Sequence, residues 1–352
     1  MLAARPTMAR RNALRYSFLM KITIATPLYP PDVGGPSYYA AGLEEALKEM
    51  GHSVVVVNYG DLRSVPMGIS QFLYLLRLIP HVLGSDAVIA LDTASIGFPA
   101  AILCRMLRIP FVVRTGGDFL WEQYIERTHD LVPLPFFYDK HRPLSFKERT
   151  ILLITKWTLA RGTIVFSTQM QRDVWLTPYS VSIDRTHIVG NAIDPNDQNE
   201  KPSRKNFLWH VRPLALKNGE RLHSAFTAAY KSYPDIMLDE GMLPREELLS
   251  RMRSAYAVIL PSISEISPNY IFEALQFGKP FILTKYCGLA QMLVPYGLLV
   301  DPLSEDDISN AIKELASEEG YRRAVQKASQ FSMQRSYAEI AKDFLHLIEQ
   351  NV

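Results

Sequence analysis

Short hydrophobic runs alternate along the chain with longer stretches in which apolar residues recur at helical spacing. The first run, Lys21–Thr26, precedes a loop rich in Pro and Gly, and Ser37–Met50 then has an apolar helical face. Gly51 ends this helix, and Ser53–Asn58 has the continuous β-branched pattern of a buried strand. Further strands are predicted near Asp86–Leu91, Pro110–Arg114, Thr163–Ser167 and His187–Val189. Strands that alternate with helices predict a parallel sheet covered on both faces.

The second half of the chain repeats this pattern. Strands are predicted near Asn206–His210, Ile236–Asp239, Tyr256–Leu260, Pro280–Thr284 and Leu298–Val300. Ser304 followed by Asp307 predicts a capping box at the start of an amphipathic helix. We therefore expect an α/β protein with two Rossmann-like, doubly wound domains facing a central cleft. In such domains the loops beyond the carboxyl ends of the strands bind ligands.

The expected boundaries divide the chain into five parts. Residues 1–19 form a basic leader, expected to be disordered, and 20–190 form the first domain. The polar, Pro-containing stretch 191–205 is the linker, and 206–334 form the second domain. Residues 335–352 are expected to form a helix that packs back towards the first domain.

Composition narrows the class of protein. The chain has 352 residues, enough for two domains, and its 38 basic and 36 acidic residues leave a net charge of +2. So small an excess gives no reason to expect a nucleic-acid partner. Cys104 and Cys287 stand alone without other ligands at metal-binding spacing, which fits a reducing cytoplasm. The sequence contains no apolar run of about 18 residues, the length that a membrane-spanning helix needs, so no span is predicted.

The segment Pro261–Pro280, PSISEISPNYIFEALQFGKP, contains the strongest chemical motif. Its helix is expected to have Ser267 as N-cap and Pro268 at the first position, with free amides that suit a pyrophosphate. Glu265 and Glu273 flank this helix start and can bind the hydroxyls of the sugars on either side of a diphosphate. Taken singly, each glutamate is equally well explained as a solvated surface residue. The expected donor contacts at the helix start are Ser267, Pro268, Asn269 and Tyr270.

Two glutamates separated by seven residues, after Pro-Ser and before Gly-x-Pro, resemble the motif of family-4 retaining glycosyltransferases, also called glycosyl transferases group 1. The resemblance implies the GT-B fold, with a nucleotide-sugar donor in the second domain and an acceptor in the first. It also implies that Glu265 contacts the donor sugar and Glu273 the nucleotide ribose.

A second motif, HVRPLALKNG, follows the predicted strand at Asn206–His210. Arg212 and Lys217 in it resemble the family's Arg-x4-Lys pair, which neutralises the donor diphosphate. Arg grips phosphate oxygens bidentately and Lys supplies a compact charge, so both would stabilise the leaving group. In isolation the two would be read as solvated surface cations, but their order relative to the glutamate motif favours the catalytic interpretation.

Two loops of the first domain complete the resemblance. Gly34 and Gly35 lie in a loop similar to the family's Gly-rich loop, which faces donor phosphate and acceptor. The second loop has the sequence RTGGDFLWE. Many relatives have a histidine near the reacting sugar at this place, whereas here Gly117 and Asp118 occupy the region. Asp118 either positions or deprotonates the acceptor hydroxyl or caps a helix, and the sequence favours neither alternative.

One departure from the family concerns the second domain, which is shorter between Asp235 and Ala257 by about a strand and a helix. The usual Gly-Asp-Gly loop is missing, and Asp239-Glu240-Gly241 is its nearest remnant. That loop helps to shape the base pocket in the family, so the sequence favours no particular nucleotide.

The segment Phe136–Arg161 interleaves aromatic with basic residues. Such a segment can lie on an anionic membrane surface. The alternative is a helix whose apolar side packs on its own domain. A lipid-linked acceptor, as the family often uses, would favour the membrane.

Together these features predict a metal-independent, hexosyl-type transferase that retains anomeric configuration and needs no cofactor beyond its nucleotide-diphosphate sugar. Its acceptor would be a glycan or a lipid-linked sugar in cell-envelope polysaccharide or glycolipid synthesis, at the inner face of the plasma membrane. Two alternatives stay open, a nucleotide-sugar epimerase of the same fold and a catalytically degenerate nucleotide-sugar-binding partner protein.

Overall fold

The computed structural model describes residues 19–350 except Val33, Asn196 and Gln198. The leader expected at 1–19 lies outside the described residues, apart from Leu19. The strands of the described part form two separate sheets, and every neighbouring pair in both is parallel. The expected architecture of two doubly wound α/β domains is therefore confirmed.

The N-terminal sheet has six strands in the order β2-β1-β3-β4-β5-β6. They are β1 (Lys21–Thr26), β2 (Ser53–Asn58), β3 (Ala87–Ala90), β4 (Phe111–Thr115), β5 (Thr163–Phe166) and β6 (Thr186–Ile188). Its helices are α1 (Gly35–Glu49), α2 (Ile69–Val82), α3 (Gly97–Leu107), α4 (Phe119–Thr128), α5 (Phe146–Leu159) and α6 (Gln169–Leu176).

The C-terminal sheet has five strands in the order β11-β10-β9-β7-β8. They are β7 (Lys205–His210), β8 (Ile236–Gly241), β9 (Ala257–Leu260), β10 (Phe281–Thr284) and β11 (Leu298–Val300). The helices of this half are α7 (Gly219–Tyr230), α8 (Arg245–Ser254), α9 (Asn269–Gln276), α10 (Ala290–Leu293), α11 (Glu305–Ala316), α12 (Glu318–Ala328) and α13 (Tyr337–Glu349).

The last helix, α13, packs on the N-terminal sheet rather than on the C-terminal one. Its residues Ile340 and Phe344 are fully buried in the core that contains Ile24 and Leu43. The chain crosses back beside the linker, where Ile193 and Arg335 exchange backbone hydrogen bonds of 2.9 and 3.0 Å.

The predicted strands are all present, with ends displaced by no more than two residues. Four strands, β3, β4, β9 and β10, begin one residue later than predicted, and in β4 and β10 the residue left out is a proline, Pro110 or Pro280. Proline has no N–H to donate to a sheet, and these two residues contribute only their carbonyls, which accept from Val88 and Val258.

The predicted capping box at α11 is only half formed. The Ser304 hydroxyl accepts from the Asp307 amide at 3.1 Å, as expected. The Asp307 carboxylate, however, accepts from the Asp301 amide at 2.6 Å, since the Ser304 amide is already bonded to the Asp301 carbonyl. The second bond of the box was therefore predicted wrongly.

Candidate functional site

A cleft lies between the two sheets at the carboxyl ends of their strands and encloses about 950 Å³. Loops after β1, β2, β3 and β4 line it from one domain, and loops after β7 and β9 from the other. Behind it, Trp121 and Tyr124 of the first domain share an apolar cluster with Leu216 and Ile263 of the second. This cluster fixes the two sets of loops against each other.

Lys217 and Glu265, which belong to separate sequence motifs, form an ion pair in this cleft. Lys217 Nζ lies 2.5 Å from Glu265 Oε1, and the side chains are only 17% and 14% exposed. The turn carrying Lys217 is held from the other domain, because the Glu126 carboxylate accepts from the amides of Ala215 and Leu216. A charge-assisted pair is thereby fixed where a polar ligand would enter.

Arg212 lines the same cleft but has a different environment. Its side chain is exposed and makes no ion pair with any residue that the structure describes. Its guanidinium is therefore available to an anion beside the Lys217–Glu265 pair.

The start of α9 differs from the sequence prediction. Pro268 has a non-helical backbone and the helix begins at Asn269, so Ser267 is not the N-cap. The Ser267 hydroxyl instead accepts from Asn191 Nδ2 at 3.1 Å. Ser267 and Asn269 line the cleft, whereas Pro268 and Tyr270 do not. The Tyr270 hydroxyl accepts from the His210 amide at 3.0 Å, so this side chain braces β7 instead of facing a ligand.

Asn191 ties this helix start to the N-terminal domain. Its Nδ2 donates to Asn269 Oδ1 at 2.7 Å as well as to Ser267, and its Oδ1 accepts from Arg114 at 2.5 Å. Arg114 in turn lies 3.8 Å over the ring of Tyr39. One amide thus fixes the orientation of the α9 amino end relative to the opposite sheet.

Glu273 lies outside the main cleft. It lines a second cavity of about 240 Å³ between the domains and pairs with Arg245 of α8. Burial raises the pKa of its carboxyl, and the Arg245 charge opposes that effect. The Arg245 guanidinium also lies 4.8 Å over the ring of Tyr38 in α1. A ribose can reach Glu273 only by displacing or sharing Arg245.

The Gly-rich loop closes the cleft opposite α9. Gly35 lines both cavities, and a Cβ added there would lie 3.5 Å from Asn269 Nδ2. Gly34 has a φ of +148°, a conformation that side chains rarely adopt, so a glycine is required at that position. The loop therefore approaches the start of α9 through Gly35, whereas Gly34 lines neither cavity. The role of this loop towards donor phosphate and acceptor stays a prediction.

Asp118 has the helix-cap role, and the alternative role towards an acceptor is wrong. Its carboxylate is fully buried and accepts from the amide of Trp121, the hydroxyl of Tyr138 and the indole of Trp175, at 2.9, 2.8 and 2.7 Å. Burial raises the pKa of this carboxyl while the three donors lower it. No substrate hydroxyl can reach a carboxylate whose oxygens are enclosed in this way.

Glu122, one turn along α4, is a cleft carboxylate that sequence reasoning missed. It lines the cleft and is half-buried. Burial raises its pKa to about 7; Arg212 and Lys217 lower it, while Asp118 and Glu265 raise it. Gly117 leaves the space it needs, since a Cβ there would lie 3.1 Å from Glu122 Oε1. Its position one helical turn after the Asp118 cap was the only available signal.

Comparison with known protein families identifies the family of the chain. A model of the family "Glycosyl transferases group 1" matches residues 240–331, the part that carries Glu265, Glu273 and the start of α9. The chain belongs to glycosyl transferases group 1. A search of curated proteins found no match.

Solved structures with the same fold cover nearly all of this glycosyltransferase. WaaG, titled a glycosyltransferase involved in lipopolysaccharide biosynthesis, is 14% identical with a TM-score of 0.68, covering 93% of this chain and 99% of that one. Sucrose-phosphate synthase from Thermosynechococcus elongatus is 15% identical with a TM-score of 0.66, covering 94% and 98%. Anabaena HepE, in complex with UDP and glucose, has the same identity and TM-score, covering 94% and 99%. These likenesses confirm the GT-B fold.

The basic and aromatic segment Phe136–Arg161 of the glycosyltransferase does not present one amphipathic face. Phe137 is 3% exposed, and Arg142 pairs with Asp130 at 2.7 Å. Phe146 and Leu153 are exposed on α5, at 87% and 67%. Much of the segment therefore packs on its own domain, which was the alternative to a membrane surface.

The described residues contain neither a membrane-spanning helix nor a cluster of metal ligands. No helix among them is long and apolar enough to cross a bilayer. No group of three or more His, Cys, Asp or Glu side chains in the described ranges is arranged to hold a metal ion.

Proposed function

We propose that this group 1 glycosyltransferase moves a hexose from a nucleotide-diphosphate sugar to an acceptor hydroxyl, with retention of anomeric configuration. The observation that carries the proposal is the half-buried Lys217–Glu265 pair, with Arg212, which pairs with none of the described residues, beside it and Gly35 across the cleft. Retention is proposed because the spacing of Glu265 and Glu273 resembles that of retaining transferases.

The cations of the cleft would stabilise the departing diphosphate. Arg212 and Lys217 supply two positive charges, and the amides at the start of α9 add partial positive charge at the same wall. A donor sugar bound at Glu265 would release Lys217 to the phosphate. We propose that these groups replace a metal ion.

Glu122 would position the acceptor hydroxyl from the N-terminal side. It is the titratable carboxylate of the first domain that faces Arg212, Lys217 and Glu265 in the cleft. In a retaining reaction the departing phosphate itself would take the acceptor proton, so Glu122 would orient the hydroxyl by accepting a hydrogen bond.

The acceptor we propose is a glycan or a lipid-linked sugar, used in cell-envelope polysaccharide or glycolipid synthesis on the cytoplasmic side of a membrane. Two observations support this choice of acceptor. WaaG, which has the same fold, is titled for lipopolysaccharide biosynthesis, and an apolar surface described below extends to the mouth of the cleft.

A thermal-shift screen against nucleotide-diphosphate sugars tests the donor assignment. A ligand at a hundred times its dissociation constant should stabilise the fold by about 2.7 kcal/mol. The best ligand is then incubated with and without glycan and lipid-linked acceptors. Epimerised donor without any acceptor would indicate the epimerase alternative, and binding without turnover the degenerate partner. A panel that gives no shift would contradict the proposal.

A further inference from the structure

Helix α2 exposes an apolar stripe although its opposite face is buried. Ile69, Phe72, Leu73 and Leu76 recur at helical spacing on the outer face, with Phe72 60% and Ile69 57% exposed. The inner face, which includes Tyr74 and Leu78, is fully buried in the core of the N-terminal domain. A helix that is apolar on both faces is typical of a buried position, yet nothing in the described chain covers the outer one.

The neighbouring helix adds exposed apolar residues at one end of the stripe. Helices α2 and α3 pack side by side, and both run from the cleft end of the sheet to its opposite end. At that far end Leu83 is 60% exposed and Met106 of α3 is 73% exposed. At the near end Met67 is exposed and lines the cleft. We name the outer face of Met67–Leu83 together with Met106–Arg108 the α2–α3 surface.

The two stretches of chain that form this surface contain basic but no acidic residues, and the acidic residues Asp61 and Asp86 lie at its edges. No Asp or Glu occurs in 62–85 or in 93–117. Arg105 and Arg108 are exposed and make no ion pair with described residues. Arg161 lies close enough to Arg105 for that charge to add to burial in lowering the Arg161 pKa. The nearest preceding acid, Asp61, pairs with Arg77 at 3.0 Å.

We propose that the α2–α3 surface docks this enzyme on an anionic bilayer. Exposed aliphatic and aromatic side chains would enter the interface while the arginines bind anionic headgroups. A symmetric second copy fits less well, because it would bring arginines of like charge together. The inference deepens the proposed function and rests on it in one respect, since a docked α2 would place the cleft mouth beside a lipid-linked acceptor.

Vesicle co-sedimentation tests the docking. Wild type is compared with Phe72→Ser/Leu76→Ser, with Arg105→Ser/Arg108→Ser and with the matched control Phe146→Ser/Leu153→Ser on α5. We expect wild type and the control to bind phosphatidylglycerol vesicles, and both other variants to lose binding on the order of tenfold. Salt should weaken wild-type binding, and neutral phosphatidylcholine vesicles should bind much less.

Three results would overturn the docking. The first is that wild type does not bind anionic vesicles, and the second is that Phe72→Ser/Leu76→Ser binds them as wild type does. The third is that light scattering shows a wild-type dimer which Phe72→Ser/Leu76→Ser abolishes. Unchanged far-UV circular dichroism and donor affinity show that a variant is folded. Donor affinity also separates the two proposals, because its absence in wild type would defeat the proposed function and leave vesicle binding as it is.

Discussion

At the scale of single residues, local environment gives two carboxylates on one helix turn different roles. Asp118 is enclosed by three donors and caps α4, whereas Glu122 faces the cleft with a pKa raised to about 7. Glu265 is paired with Lys217 in the cleft, and Glu273 with Arg245 in a separate cavity. Each role depends on neighbours that lie far away in the sequence.

Replacing each glutamate of the motif by alanine should have a different effect on nucleotide binding and turnover. Glu273→Ala should weaken nucleotide binding, since the proposed contact with the ribose is removed and Arg245 loses its partner. Glu265→Ala should mainly lower kcat with nucleotide still bound, because its proposed contact is with the donor sugar. Calorimetry with free nucleoside diphosphate and steady-state kinetics separate these effects. Equal loss of nucleotide affinity in both variants would show that the roles are wrongly assigned.

Glu122 predicts a pH dependence that can be assigned to one residue. With a folded pKa of about 7, ionised Glu122 is lost as pH falls below neutrality, and activity should fall with it. Bound diphosphate adds negative charge and occupies Arg212 and Lys217, which raises the pKa of Glu122. The acidic limb of the pH–rate profile should therefore lie at higher pH for kcat than for kcat/KM. Glu122→Gln should remove this acidic limb, and a pH–rate profile identical to that of wild type would contradict the assignment.

The pH dependence of folding stability measures the pKa of Glu122 independently of activity. The folded pKa of Glu122 is raised above its ordinary value of 4.5, so the folded state binds more protons than the unfolded state between pH 4.5 and about 7. Wild type should therefore lose stability relative to Glu122→Gln as pH rises through that window. Thermal melts of both proteins across the window measure the difference, and parallel curves would mean that Glu122 is ordinarily solvated.

At the scale of elements, sequence pattern was sufficient for the strands and insufficient for the helix ends and the site. Strands follow from local runs of apolar residues, which explains why all predicted strands occur. The N-cap at Ser267 was wrong because its hydroxyl bonds to Asn191, a residue 76 positions away. The cleft role of Glu122 and the exposure of α2 depend on which helices pack together, and periodicity does not encode that.

Asn191 tests how the start of α9 is positioned. Asn191→Ala removes its hydrogen bonds to Ser267, Asn269 and Arg114 and leaves their polar atoms without this partner. We expect a loss of stability of about 1–3 kcal/mol and a raised KM for the donor. Chemical denaturation and kinetics measure both, with Asn199→Ala in the linker as control. A variant with wild-type KM would show that the donor does not depend on this bridge.

At the scale of the whole molecule, two domains meet over an apolar cluster and leave a cleft whose charged residues come from both sides. The Lys217 turn is held by Glu126 of the opposite domain, and α13 returns the chain to the first sheet. A change in the relative position of the domains would alter the site directly, so donor binding and domain closure should be coupled.

The proposed absence of a metal requirement is also a property of the whole site. Turnover should persist in EDTA, because side chains and the α9 amides supply the positive charge. Activity assays with and without chelator test this. Complete loss in EDTA that magnesium or manganese restores would contradict the metal-free account.

The most direct test of the central claim is calorimetric titration of a nucleoside diphosphate into wild type, Arg212→Ala, Lys217→Ala and the exposed-surface control Arg322→Ala. The nucleotide is the one whose sugar gives the largest shift in the thermal screen. We predict that each cleft variant weakens binding by about 1.5–3 kcal/mol, the scale of a hydrogen bond to a charged group, and that Arg322→Ala binds as wild type does. Unchanged affinity in both Arg212→Ala and Lys217→Ala would contradict the assignment of this cleft to a nucleotide-sugar donor.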